Sequence, residues 1–266
     1  MDFLVIGSSM AFIAYMLATM AIVSRLFHPN GPNINKVLIL ATIAIAIHLF
    51  NDAQLFFIKD GINFSLPNVI SLVSLIITIT ISVVALRVKI NLLLPVVYGF
   101  AGIWQLVRIF IPNSESIQLA ANKIILVGHI SLALVAYCIL IIATLYAFQV
   151  TYINVKLKSK NLTAVVHLPP LMQVEKQLFI ILAAGVICLF ASEVIGLIFL
   201  EGIFAKQNIH KTVLSLIALL IYSIILLGHH IQGWRGHRVL VLIITASTLL
   251  TLSYFGSRFV KEFLLS

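Results

Sequence analysis

The sequence predicts an all-α fold, a polytopic membrane bundle of eight transmembrane helices with both termini outside. Three observations carry that reading. Hydrophobic residues make up 62% of the 266-residue chain and charged residues 9%, and the mean hydropathy is +1.16, far from the balance of a soluble domain. The apolar residues run in segments long enough to cross a hydrocarbon core, which takes about 20 residues in helical form. The basic residues collect in alternate loops. No alternation over about 10 residues, the mark of a membrane β-barrel, is visible, so backbone polar groups are expected to be satisfied within helices.

The segments cover about 3–24, 36–57, 66–86, 91–111, 119–149, 176–200, 211–231 and 238–260 of one integral-membrane domain, 1–266. The first has Asp2 before it and Arg25 after it, the reverse of a cleavable secretory signal, and is expected to be a retained helix with its N-terminus outside. A turn-rich stretch from His28 to Lys36 follows. Ser71, Ser74, Thr78 and Ser82 on the third segment form a stripe of small side chains that lets helices approach closely. Gly185, Cys188, Ser192 and Gly196 do the same on the sixth. Cys138 and Cys188 sit in apolar helices with no CxxC pairing, which supports neither a thioredoxin-like site nor covalent haem attachment. The longest connection, Thr151 to Glu175, carries Lys156, Lys158 and Lys160 and then the stiff Leu168-Pro169-Pro170-Leu171 turn. The seventh segment opens at His210 and ends at His229, His230, Trp234, Arg235, His237 and Arg238, a basic surface with Trp234 as interfacial anchor.

Orientation follows from charge. Arg25, Lys36, Arg87, Lys89, Lys156, Lys158, Lys160, Lys176, Arg235 and Arg238 fall on the side expected to be inner. Lys59, Lys123, Lys206, Lys211, Arg258 and Lys261 share the other side with Asp2, Asp60, Glu115, Glu201 and Glu262. The net charge of +9 reflects this bias and attraction to anionic lipid, so the bilayer is the expected partner and nucleic acid is not. No internal repeat supports an inverted-repeat transporter. No nucleophile with an adjacent base, phosphate loop or hydrolase motif is present in the sequence, and independent catalysis is not expected.

Titratable side chains within hydrocarbon are costly, about 2.5–3.5 kcal/mol for Asp or Arg at mid-helix, so each calls for a partner or a function. At a rise of about 1.5 Å per residue, His48 lies about 18 Å from the inner face and His129 about 15 Å below the outer face, so the two share a level near the midplane. Two imidazoles at one depth on separate helices suit bis-axial ligation of haem iron, with Ala133 and Ala136 leaving room beside His129. Interhelical hydrogen bonding and a proton relay stand as the alternatives. Asp52, Arg108 and Glu193 come out at about 24–26 Å from the inner face. With Trp104, Gln105, Arg258 and His210 they are expected to line an outward polar pocket. If haem is bound, Arg108 and Arg258 suit its propionates and His210 an outer iron. Otherwise the charges form an ion-pair network that fixes helix register.

His129-x-Ser131-Leu132-x3-Ala136-Tyr137, Leu168-Pro169-Pro170-Leu171, His210-Lys211-Thr212-Val213-Leu214-Ser215, Gly233-Trp234-Arg235-Gly236-x-Arg238 and Tyr254-Phe255-Gly256-Ser257-Arg258-Phe259-Val260 resemble the YpjD-like, HemX-like branch of the cytochrome c assembly membrane proteins. The resemblance covers the chain from the fifth segment onward, and the first four segments in outline. It implies haem handling through membrane and outer-facing histidines, with His129 and His210 as the family's histidines and His48 as partner from the first half. Haem-presenting members carry a tryptophan-rich outer segment ending in Asp, whereas this chain has only Trp104 and Trp234. The expectation is therefore a haem b-binding accessory or regulatory factor in haem handling or cytochrome c assembly, in the bacterial inner membrane and in company with other assembly proteins there. The alternatives are a small-molecule or ion transporter built on Asp52, Arg108 and Glu193, and a non-catalytic scaffold whose basic loop, Lys156 to Lys176, docks a partner.

Overall fold

The computed structural model describes residues 2–26, 28, 31–58, 61–63, 65–111, 118–119, 124–160, 168–199 and 209–256. Among them lie eight α-helices: α1 (Asp2–Val23), α2 (Ile34–Phe56), α3 (Leu66–Ala85), α4 (Leu94–Phe110), α5 (Ile124–Lys158), α6 (Leu171–Phe199), α7 (Ile209–Gln232) and α8 (His237–Thr251). A π-helical turn, Leu252–Gly256, prolongs α8. Seven helices are long and apolar enough to cross a membrane. The exception is α4, whose 17 residues span about 26 Å, short of a core about 30 Å thick.

Helix ends depart from the expected bounds where local chemistry dictates. The 35 residues of α5 make a rod of about 52 Å that outruns the hydrocarbon core, so Lys156 and Lys158 end a helix rather than sit in a loop. The chain turns at Lys160, whose φ is 57°. Pro169 and Pro170 set the start of α6 at Leu171, five residues earlier than the hydropathy indicates, because proline is well accommodated just ahead of a helix and poorly inside one. Pro67 and Pro95 occupy the first turns of α3 and α4. Three short strands also interrupt the expected all-α pattern: β1 (Phe57–Ile58), β2 (Gly61–Asn63) and β3 (Gln118–Leu119). They pair antiparallel in the order β1-β2-β3, with Phe57 opposite Ile62 and Ile62 opposite Leu119. This ribbon joins the segment after α2 to the segment after α4, so both helices end on the same side.

The chain falls into two compact units, one formed by Met1–Ala120 with Lys156–Pro169, the other by Ala121–Val155 with Pro170–Ser266. In the first, α1 packs on α2 and α4, and α3 packs on the same two helices. The buried stripes recur every three or four residues, as Ala11, Tyr15, Ala18 and Ile22 on α1, and Val37, Ala41, Ala44, His48 and Asp52 on α2. Small residues let the backbones close up: a Cβ on Gly102 of α4 would lie 3.0 Å from Tyr15 Cβ. The outward faces are apolar, with Ile6, Met10, Ile13 and Leu17 exposed on α1 and Phe100, Ile103 and Phe110 on α4. Lipid is as apolar as these side chains, so the polar residues turn inward.

In the second unit α6 packs on α7, and α7 packs on α8 and the π-turn. Gly185 of α6 seats against Leu140 and Ile139 of α5, where a Cβ would come within 2.7 Å of Leu140 Cδ2. Ser192 and Gly196 continue that buried stripe, the face whose small residues the sequence assigns to close approach. Cys138 is a buried free thiol and Cys188 a half-buried one.

Candidate functional site

Asp52 follows His48 by one helical turn, and the i,i+4 spacing puts both on the inward face of α2. Arg108, in the last turn of α4, reaches Asp52 Oδ1 from Nη1 at 2.5 Å, with the two side chains only 5% and 3% exposed. Between them stands Ser71 of α3, fully buried. Its hydroxyl donates to Asp52 Oδ1 at 2.8 Å and accepts from Arg108 Nη1 at 3.0 Å and Gln105 Nε2 at 3.2 Å. Arg108 Nη2 donates to Asn68 Oδ1, and Asn68 Nδ2 donates in turn to the Asn63 carbonyl at 3.3 Å. The guanidinium is thus neutralised by one carboxylate and held by two further oxygens, which is what a charge in hydrocarbon requires.

His48 is drawn into the same network at both ring nitrogens. Nε2 lies 2.9 Å from Ser71 Oγ and 3.3 Å from Asp52 Oδ2. Asp52 Oδ2 is a carboxylate oxygen that can only accept, so Nε2 carries the proton and is directed at it, beside a Ser71 oxygen whose two lone pairs already serve Arg108 and Gln105. Nδ1 faces the Tyr15 hydroxyl at 3.1 Å, with the two rings edge to face. Tyr15 also stacks on Tyr98, whose hydroxyl is 2.8 Å from Ser82 Oγ on α3. Trp104 donates from Nε1 to the Pro67 carbonyl at 3.3 Å. The interhelical hydrogen-bonding alternative for His48, and the register network for Asp52 and Arg108, both describe this geometry.

The second unit holds a polar cluster on α5 and α6. Nδ1 of His129 on α5 lies 2.9 Å from the carbonyl oxygen of Ser192 on α6, and the Ser192 hydroxyl donates to the His129 carbonyl at 3.3 Å. A carbonyl can only accept, so Nδ1 is the protonated nitrogen. Among the described residues no hydrogen bond engages Nε2. The ring is half-buried, and Ala136 lies buried two turns on. Glu193, next to Ser192 on α6, lies within hydrogen-bonding reach of Ser215 on α7. Ser215 itself donates to the Thr212 carbonyl at 3.0 Å. Elsewhere in this unit the Tyr137 hydroxyl sits 3.0 Å from Thr251 Oγ1, and Ser253 donates to the Lys211 carbonyl at 2.7 Å.

The expected site residues therefore divide. His48, Asp52, Arg108, Gln105 and Trp104 come together in the first unit. His129 and Glu193 lie together in the second, and His210 is exposed in the first turn of α7. Arg258 lies outside the described residues. Among those described, no three His, Cys, Asp or Glu side chains gather as a site for a bare metal ion. Tyr15, Asn68 and Ser215 take part without having been singled out as ligands by the sequence. Ser71 and Ser192 stand on the small-residue stripes, whose inward facing is the signal that points to them.

At the far end of α6 and α7, His229 stacks on Phe179 at 3.4 Å between centroids and donates from Nδ1 to the Trp234 carbonyl at 3.0 Å. Arg235 pairs with Glu175 at 3.5 Å. The turn is closed by Gly233, whose φ of 65° ends α7 with a bond from its N–H to the His229 carbonyl.

Residues 37–265 match the family model described as cytochrome C assembly protein. Inner membrane protein YpjD of Escherichia coli strain K12 is 40% identical over 255 residues, covering 95% of this chain and 97% of the relative, and its counterpart in Escherichia coli O157:H7 matches equally. An Azospirillum brasilense protein, described as an uncharacterized 28.8 kDa protein in the nifR3-like 5' region, is 31% identical over 141 residues, 52% of each chain. No solved structure matches. With its apolar spans and this coverage, the chain is a multi-pass protein of the bacterial inner membrane and belongs to the cytochrome c assembly protein family.

Proposed function

We propose that this protein is a haem-binding accessory or regulatory factor in haem handling and cytochrome c assembly, with His129 offering Nε2 to the iron of haem b. The observation that carries the reading is the His129 Nδ1–H bond to the Ser192 carbonyl at 2.9 Å. Histidines that hold a metal almost always donate their other N–H to a carbonyl, carboxylate or water, which fixes the ring and leaves the remaining lone pair aimed at the metal. Family membership supplies the context in which that metal is haem iron. Haem bound here supplies redox-active iron, while the chain's own part is to orient the ring and keep the surroundings apolar. His210, in the same unit, is the second histidine of the proposal.

His48 is the weaker ligand, since both its nitrogens serve Tyr15, Ser71 and Asp52. Arg108 likewise has its donors directed at Asp52, Ser71 and Asn68, which favours a register role over a propionate contact. The same closure of charge leaves the transporter reading with little support. The proposal assigns the protein a binding role and no chemical step of its own. Haemin titration of the detergent-solubilised chain tests it. A saturable Soret shift that His129→Ala abolishes is expected, and a wild-type protein that gives no shift would sink the reading.

A further inference from the structure

Residues 172, 176, 180 and 183 of α6 follow one another at intervals of four, four and three, so Met172, Lys176, Ile180 and Ala183 form one stripe on the helix surface. They line a pocket of about 360 Å³ together with His229 and Arg235 from the end of α7 and the turn beyond it. The pocket is built on fixed groups. The His229 ring lies flat on Phe179, 10° from parallel, and its Nδ1 is tied to the Trp234 carbonyl. Glu175, a mostly buried residue of the pocket wall, holds Arg235 by Nε while that arginine's side chain stays 56% exposed. Two cations, Lys176 and Arg235, share the pocket with one carboxylate, Glu175, so these three groups together carry a single positive charge.

Its apolar part runs lengthwise. Ile180 and Ala183 lie about 6 and 10 Å further along α6 than Lys176, toward the middle of the span. Met172 and Ile180 are 63% and 59% exposed on a helix apolar enough to cross a membrane. A soluble anion would satisfy the cations and leave those side chains bare. A molecule with one phosphodiester and an acyl chain satisfies both.

We propose that this pocket is a binding site for an anionic glycerophospholipid of the phosphatidylglycerol type. Its phosphate sits at Lys176 and Arg235, and its acyl chain lies along Ile180 and Ala183. The selectivity comes from that single net positive charge, each cation at the pocket favouring anionic over zwitterionic lipid.

The test uses the full-length chain, purified in mild detergent and stripped of lipid, with bound lipid counted by native mass spectrometry. Phosphatidylglycerol and phosphatidylethanolamine of identical acyl chains are offered in turn, then phosphatidylglycerol with inorganic phosphate as competitor. Phosphatidylglycerol is expected to be retained preferentially, about five-fold less tightly in Lys176→Gln, and phosphate is expected not to displace it. Ile180→Trp, which fills the apolar wall and leaves every charge in place, is expected to weaken retention as well. Equal retention of the two lipids by the wild-type chain would overturn the proposal, as would retention unchanged in both variants. Displacement by inorganic phosphate would assign the site to a soluble anion and overturn the lipid occupant.

Discussion

Nη1 of Arg108 on α4 lies 2.5 Å from Oδ1 of Asp52 on α2, and both side chains are almost wholly buried. Each charge is tolerable in an apolar bundle only because of the other, since the penalty for an uncompensated buried ion exceeds that for a matched pair. Asp52→Ala is expected to destabilise the folded bundle by about 3–5 kcal/mol by leaving Arg108 unpaired. The double variant Asp52→Leu with Arg108→Met, which removes both charges, is expected to recover much of that loss. Unfolding midpoints in mixed micelles, compared across the single and double variants, check the pair. A double variant less stable than the single one would contradict it.

His48 distinguishes a structural histidine from a ligand. His48→Ala strands the Tyr15 hydroxyl and removes a donor from Asp52, at a cost of about 1–3 kcal/mol for each buried group left unsatisfied. The expected outcome is a lower unfolding midpoint with haem content per folded chain unchanged. Haem quantified by pyridine haemochrome alongside thermal unfolding separates the two effects.

The helix pair α5 and α6 is set by Gly185, whose missing Cβ leaves space that Leu140 fills to within 2.7 Å of the ideal Cβ position. Gly185→Val is expected to force the helices apart and cost about 1–3 kcal/mol through overpacking. Because His129 and Ser192 meet across the same pair of helices, haem affinity is expected to fall with it. Titration of haemin into the folded fraction measures the coupling, and an unchanged affinity would separate the seam from the site.

Much of this was legible in the residues. Long apolar segments gave the helices, and the i,i+4 spacing of His48 and Asp52 placed them on one face. The need to neutralise Arg108 within hydrocarbon directed it to a carboxylate. Depth along the membrane did less. It ranks residues along one axis and says nothing about which helices are neighbours, so it cannot pick out Ser71 and Asn68 of α3 as the groups that meet Arg108. Depth matching also pairs His48 with His129, yet the ring nitrogens of His48 are taken up by Tyr15, Ser71 and Asp52. Tyr15 could not be found this way, because a lone tyrosine in an apolar helix carries no mark of its partner. The extension of α5 to Lys158 was hidden because polar residues continue a helix beyond lipid without an apolar signal.

The absorption spectrum of the purified protein, oxidised and then reduced with dithionite, tests the central assignment most directly when wild type, His48→Ala and His129→Ala are measured together. A Soret band with sharp reduced α and β bands is expected in the wild type and in His48→Ala, and their loss in His129→Ala. Bands that survive His129→Ala, or that vanish equally in His48→Ala protein shown to be folded, would contradict the assignment.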